Sequence, residues 1–370
     1  MTKEILSVSA PGRICLFGEH QDYFRLPVIA AAVDLRISIK GYPRSDKKFV
    51  VALPDIGEKE SFSLHNNIPY SKKRDYLKSA VNVLQRNDIS FYHGWDCRIK
   101  GNIPINSGSA SSSALVVAWI KFLLEAAQDD LAANKTEIAE LSHATEVEEF
   151  NEPGGKMDHY TSALGGILLL RFAPRLTVKK IDAALHPFVL ADSSERKKTT
   201  DTLGFIKKNV REGLKQIQKS IPDFNLNKGL GEKENAEVEK LPPVSKRLVK
   251  GTFMTRDLTR QGEKLFRRKA LDQEHFGHLL SRQQHVLREY MQVSTPKIDK
   301  MIDTALNAGA LGAKINGSGE GGSIFAYTSH DPHKVASALE EISTSVHIVQ
   351  IDQGVKREIS VLSPPERRSS

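Results

Sequence analysis

Two hydrophobic periods alternate along the first 172 residues. Stretches of strand composition, "ILSVSAPGRICLFG", "VDLRISIKGYP", "KFVVALP" and "WDCRIKGNIP", are interrupted by segments whose apolar residues recur at helical spacing. Leu77, Ala80 and Leu84 make one stripe in "RDYLKSAVNVLQRN", which Asn87-Asp88 stops; Leu115, Trp119 and Phe122 make another after a serine-rich loop. The spacing predicts a further helix over 136–150, closed by Pro153-Gly154-Gly155, and "GGILLLRF" reads as a buried strand. Around 173–182 the pattern restarts with "LTVKKI" and "PFVLADS", a plausible domain junction.

Beyond it, 223–246 has little periodicity and much Asn, Lys, Glu, Gly and Pro, which predicts a long loop or short-helix insertion that is mobile. Two long helices are expected next. One runs through "EHFGHLLSRQQHVLREY"; the other, "STPKIDKMIDTALNAG", takes Ser294 as N-cap and Gly309 just past its end. "GALGAKING" and "SIFAYT" pair as strands, and "DPHKVASALEEI" is a helix before the strand "HIVQI". Strands and helices in this mixture give an α/β chain, and 370 residues suit two domains.

Composition narrows the class only slightly. The hydrophobic share of 39% and charged share of 26% are ordinary for a globular protein. No apolar run approaches the ~20 residues of a membrane helix, and the first residues lack a signal-peptide pattern. Cys15 and Cys97 supply neither a disulfide framework nor a metal-thiolate spacing, so a cytoplasmic location and no membrane partner are expected. The net charge of +8 is spread over several short basic clusters, and only 7% of residues are aromatic. A nucleic-acid partner is therefore not expected; a basic surface that draws in anionic small molecules is.

Three glycine- or serine-rich stretches carry the candidate chemistry. "GNIPINSGSASSSAL" follows a strand and opens a helix, where first-turn N–H groups face an anion and Ser111, Ser112 and Ser113 could reach phosphate or Mg²⁺. On composition alone it could equally be a serine-rich linker, and it lacks the Gly-Lys-Ser/Thr of a Walker loop. "GAKINGSGEGGSIFAY" matches G-x-G-x-x-G at Gly317, Gly319 and Gly322, yet a strand follows it. A ligand-approaching or merely flexible hairpin fits there, and a dinucleotide fingerprint does not. "APGRICLFGEHQDY" packs Arg13, Glu19, His20 and Asp22 into ten residues, and "EPGGKMDHYTS" sets Asp158 after a glycine turn. A carboxylate so placed is either a cap or a base that takes a proton from an attacking hydroxyl, with Arg13 as a nearby cation and Glu146 as an acid for Mg²⁺.

Together these segments resemble the GHMP family of small-molecule kinases, and within it the galactokinases. "PGRICLFGEHQDY" resembles "PGR-hydrophobic-x-LIGEHTDY", and its "LFGEH" is equally similar to mevalonate kinases. "PINSGSASSSA" is similar to "P-x-x-x-GLGSSAA", "GGKMDHYTSALGG" to "CGIMDQFxSxxG", and "GAKINGSGEGGS" to "GA-K/R-x-TGxGxGGC". The likeness runs in order from about residue 8 to 326.

The resemblance implies an N-terminal ribosomal protein S5 domain 2-like domain over 1–178 and a C-terminal ferredoxin-like α/β domain over 179–370. The active site would lie in the cleft between them. It further implies an ATP- and Mg²⁺-dependent sugar kinase, monomeric or homodimeric, acting on the anomeric hydroxyl of galactose or a related sugar or sugar acid. Asp158 would be the catalytic base and Arg13 the arginine that activates it and steadies the phosphoryl group. Glu19, His20, Asp22 and Asp158 would hold the sugar, with Arg196 standing where the family has a tyrosine. Pro104, Ser107, Gly108, Ser109, Ala110, Ser111, Ser112, Ser113, Tyr76, Gly317 and Gly319 would bind ATP, and Ser112 and Glu146 the metal. Departures bear on the substrate: Phe24-Arg25-Leu26 replaces Asn-Gly-Gly and Asn316 replaces a threonine. Arginines at 25 and 196 would suit an anionic sugar. A mevalonate-type kinase and a catalytically silent sugar/ATP sensor are the competing expectations.

Overall fold

A computed structural model describes residues 5–104, 108–195, 199–328 and 331–358. Its strands are β1 (Leu6–Phe17), β2 (Val28–Pro43), β3 (Lys48–Leu53), β4 (Glu58–Ser63), β5 (Trp95–Gly101), β6 (Ile167–Arg171), β7 (Thr177–Ile181), β8 (Phe188–Asp192), β9 (Gly312–Ile315), β10 (Ser323–Tyr327), β11 (Ser345–Val349) and β12 (Lys356–Arg357). Its α-helices are α1 (Tyr76–Arg86), α2 (Ser111–Ala127), α3 (Lys135–His143), α4 (Met157–Leu164), α5 (Thr199–Ser220), α6 (Glu232–Glu239), α7 (Pro243–Phe266), α8 (Gln273–His285), α9 (Pro296–Asn307) and α10 (Pro332–Glu340).

The strands form two sheets. The first runs β12-β1-β2-β5-β3-β4, with β6 also on β2 and β7 on β6; the second runs β11-β8-β10-β9. β7 crosses position 178 as a first-sheet strand, and β12 brings the chain back to β1. Three apolar clusters hold this arrangement. One lies between the first sheet and α1 to α4, and a second packs the second sheet against α5, α7, α9 and α10. The third takes Ile14, Leu16 and Phe17 from β1 and packs them on Phe188, Phe276, Phe325 and Tyr327 from the other half. β1 is therefore buried on both faces over its whole length, its polar Ser7, Ser9 and Arg13 included. It places Arg13 at the seam between the halves.

Several sequence expectations need correction. Helices α5 and α7 were not expected, although Ile206, Val210 and Ile217 sit at helical spacing and are buried. The segment 223–246 does hold a short helix, α6, as one of its two readings had it, and also the start of α7. Rather than hanging free, its turn is pinned by buried Arg256, whose guanidinium donates to Leu226 O at 2.7 Å and to Lys228 O. The cap of α9 is Thr295, whose hydroxyl accepts from Ile298 N at 3.2 Å; Ser294 bonds Asp299 Oδ1 at 2.6 Å instead. The helix expected over 136–150 ends as α3 at His143 and continues as one π turn, Ala144–Glu148. Such a turn inserts an extra residue and re-aims the side chains around it.

Candidate active site

A cavity of about 390 Å³ opens where β1, the start of α2, the π turn, the start of α4 and the β9–β10 hairpin converge. At its centre is an ion pair. Arg13 Nε and Nη2 donate to the two oxygens of Asp158, each at 2.7 Å, a bidentate fork that fixes the carboxylate's plane. The third guanidinium nitrogen donates to Gly108 O, so one side chain ties the carboxylate to the serine loop. Burial opposes the Arg13 charge, but Asp158 more than offsets it and its pKa is raised. Arg13 is nearly enclosed, while Asp158 keeps 28% of its side-chain surface open. The pair therefore offers one free face, that of the carboxylate.

The serine loop forms one wall. Gly108 takes φ +86°, a left-handed conformation suited to glycine, and Ala110 follows at φ +58°. Among the described residues no side chain caps α2, so its first N–H groups face the cavity. Gly108, Ala110, Ser111, Ser112 and Ser113 line that space. Glu146, buried on the π turn, lies 2.7 Å from His159 Nε2 and lines the same cavity as the Ser112 and Ser113 hydroxyls. Burial alone would raise its pKa; His159, with help from the nearby serine hydroxyls, holds it below the usual carboxylate range. Of the three neighbouring acids only Glu146 faces the cavity, because Glu148 turns to His143 and Glu149 to Tyr70 and Arg86. Among the described residues no group of three or more His, Cys, Asp or Glu gathers as a cation site. Glu146 and Ser112 are hard oxygen donors side by side, a pair that fits Mg²⁺ completed by phosphate oxygens.

The opposite wall carries the acids of the first motif. Asp22 accepts from Tyr23 N at 2.9 Å and from Met157 N, at the start of α4, at 3.4 Å. Burial, then the nearby Asp158 charge, push its pKa up to about 6 despite those N–H groups. Gly155 permits the approach: a Cβ there would stand 1.9 Å from Asp22 Oδ2. His20 bridges to the hairpin, with Nδ1 3.0 Å from Tyr23 Oη and Nε2 3.1 Å from Ser318 O.

Other predicted residues sit differently. Glu19 borders the cavity but is enclosed in an ion pair with Lys314, itself bonded to Cys15 O at 3.0 Å and Ile315 O at 2.9 Å. Ser109, expected on ATP, is buried; its carbonyl accepts from Arg13 N at 3.1 Å and its hydroxyl from Asn316 Nδ2 at 3.3 Å. Gly319 packs on Val293 rather than bordering the cavity, whereas Gly317 and Ser318 do border it. Pro104 is half-buried before the serine loop and outside the lining. Arg25 is spent on Phe172 O, at 3.0 and 3.1 Å, and Pro174 O, and does not face the substrate side. Ser107 and Arg196 lie outside the described residues. Tyr76 is at the cavity's far end, edge-on to Phe150 at 5.7 Å. Sequence reasoning missed Arg74, paired with Glu152 across that end, and Leu203 of α5 at the rim. It also missed His159, although its place next to Asp158 was a usable signal.

Comparison with known proteins agrees with this construction. Residues 75–166 match the GHMP kinases N terminal domain, and residues 264–344 match the GHMP kinases C terminal domain. The chain belongs to the GHMP kinase family. Residues 2–41 of this GHMP kinase also match the galactokinase galactose-binding signature. It is 29% identical over 335 residues to the galactokinase of Thermococcus kodakarensis, covering 88% of this chain and 90% of that one. A mevalonate kinase of Pyrococcus furiosus is 27% identical over 363 residues, covering 95% and 97%. The fold is shared with Lactococcus lactis galactokinase complexed with galactose, at a TM-score of 0.83 and 24% identity over 96% of each chain. Among the described residues no helix is long and apolar enough to cross a membrane.

Proposed function

We propose that this GHMP kinase transfers the γ-phosphoryl group of ATP to the anomeric hydroxyl of galactose or a related sugar or sugar acid. Its domains would divide as 1–178 and 179–370, save that β7 and β12 complete the sheet of the first, and its work would be cytoplasmic. The observation that carries the reading is the Arg13–Asp158 fork, with its open carboxylate face between an uncapped helix start and the Asp22–His20 wall.

Phosphoryl transfer needs positioning and charge stabilisation rather than covalent catalysis. The sugar would lie against Asp22 and His20, with Asp158 within reach of the attacking hydroxyl. As the hydroxyl oxygen bonds to the γ-phosphorus, the bond from that phosphorus to the β–γ bridging oxygen breaks and ADP leaves. The hydroxyl proton passes to Asp158. Arg13 spends three of its five N–H donors on Asp158 and Gly108, and its charge at the cavity wall would offset that on the phosphoryl group. The Gly108–Ser113 turn and Gly317 would cradle the phosphates, with the base towards Tyr76. Mg²⁺, when held by Glu146 and Ser112, would supply charge neutralisation on the phosphate oxygens.

The mevalonate kinase relative covers slightly more of the chain, but the galactose-binding signature falls on the segment that supplies Arg13 and Asp22. A coupled ADP-release screen over hexoses, pentoses, uronic acids and mevalonate tests the reading. Turnover on an aldose or uronic acid supports it. Turnover on mevalonate alone assigns the second activity, and binding without ADP release on any compound makes the chain a sensor.

A further inference from the structure

The residue after the proposed base is a histidine whose contacts lead away from the sugar. His159 is 2% exposed, and its Nε2 lies 2.7 Å from Glu146 Oε2. Its other ring nitrogen, Nδ1, is buried and meets no hydrogen-bond partner among the described residues. All the polar bonding of this ring is thus directed at one carboxylate. A buried nitrogen left unpaired is costly, so the ring is held for its Nε2 contact rather than for its own satisfaction. Its flank is closed by the His143 ring, edge-on at 5.5 Å, and His143 turns its own Nδ1 to Glu148. No second donor competes for the Nε2 contact from that side.

The contact has a geometric consequence for Glu146. A carboxylate has two oxygens, and a π turn alone leaves the side chain free to rotate. With Nε2–H donating to Oε2, that oxygen is held towards α4 and the other is left for a cation in the cavity that Ser112 and Ser113 also line. The same histidine is joined covalently to Asp158 in the first turn of α4. The fork from Arg13 fixes Asp158, and the neighbouring residue fixes Glu146.

We propose that His159 is a positioning residue that orients Glu146 for the nucleotide-bound cation and locks that cation's carboxylate to the turn carrying the base. The inference rests on the reading of Glu146 and Ser112 as cation ligands. It predicts that losing the Nε2 donor weakens cation and nucleotide binding together and spares the sugar. Ligand-orienting hydrogen bonds of this kind are worth roughly 10- to 100-fold in metal affinity.

The test is Mn²⁺ affinity, read by electron paramagnetic resonance in the presence of the non-hydrolysable nucleotide AMP-PNP, alongside KM for MgATP and for the sugar. His159→Leu should weaken Mn²⁺ binding about 10- to 100-fold and raise KM for MgATP, with KM for the sugar unchanged. His159→Gln, whose amide can reach Oε2, should restore Mn²⁺ affinity to near wild type. If the leucine variant does not fold, His159→Asn, polar but too short to reach, takes its place under the same criteria. Wild-type affinity in the leucine or asparagine variant overturns the inference. So does a glutamine variant as weak as those two, or a sugar KM that rises in step with that for MgATP. Wild-type protein that binds no Mn²⁺ with AMP-PNP overturns instead the cation site on which the inference rests.

Discussion

Asp22 is the residue whose chemistry is most open to measurement. Its ordinary pKa of 3.8 is raised to about 6 by burial and by the Asp158 charge. The folded protein therefore binds this proton more tightly than the unfolded chain, so Asp22 lowers stability as pH rises from about 4 to about 6. In the proposed reading, ionised Asp22 would serve the sugar as a hydrogen-bond acceptor. Catalytic efficiency towards the sugar should fall below about pH 6, approaching tenfold per unit. Asp22→Asn should lower efficiency at neutral pH and flatten that limb. A wild-type profile flat from pH 7 to 5 would remove Asp22 from substrate binding. Other residues show what one sequence could and could not reveal. Arg13, Asp22 and Asp158 were legible because each stands in a compact motif. Ser109 was misread because a serine facing phosphate and one hydrogen-bonded to Asn316 look the same in a sequence. Likewise nothing within "LFGEH" signals that Glu19 meets Lys314, 295 residues away.

At the level of elements, the approach of α4 to the first motif depends on a residue with no side chain. A methyl group at Gly155 would collide with the Asp22 carboxylate, 1.9 Å from Oδ2. Gly155→Ala should therefore displace Asp22 and raise KM for the sugar about tenfold or more, in line with 1–3 kcal/mol of lost positioning. KM for MgATP should hold, because the serine loop is untouched. Equal rises in both would mean that α4 moves as a whole. The helices also show where pattern reading stops. The apolar spacing of α1 and α2 was legible, as was the strand after the last glycine loop, which pairs with β9 in register Ile324 to Ile315. The π turn was not, because an extra residue in a helix leaves the apolar period nearly unchanged while re-aiming Glu146. The pinning of 223–231 depends on Arg256 from α7, a contact outside the window in which composition is read.

Across the whole molecule, the site is assembled rather than carried by either half. The apolar seam formed by Ile14, Leu16 and Phe17 against Phe188, Phe276 and Phe325 aligns β1 with the second sheet. Asn316 completes the alignment by accepting from Cys15 N at 3.0 Å and donating to Arg13 O at 3.3 Å. The hairpin, the serine loop and Asp158 face one cavity because that seam is packed. The two-sheet α/β plan was readable from the order of elements; the seam was not, since it joins residues that only the fold brings together. The most direct measurement compares Asp158→Asn with wild type for turnover on the accepted sugar and for nucleotide affinity by calorimetry. A loss of turnover of about a hundred- to ten-thousandfold, with nucleotide affinity retained, is the predicted result. An asparagine variant that turns over at near the wild-type rate would contradict the account.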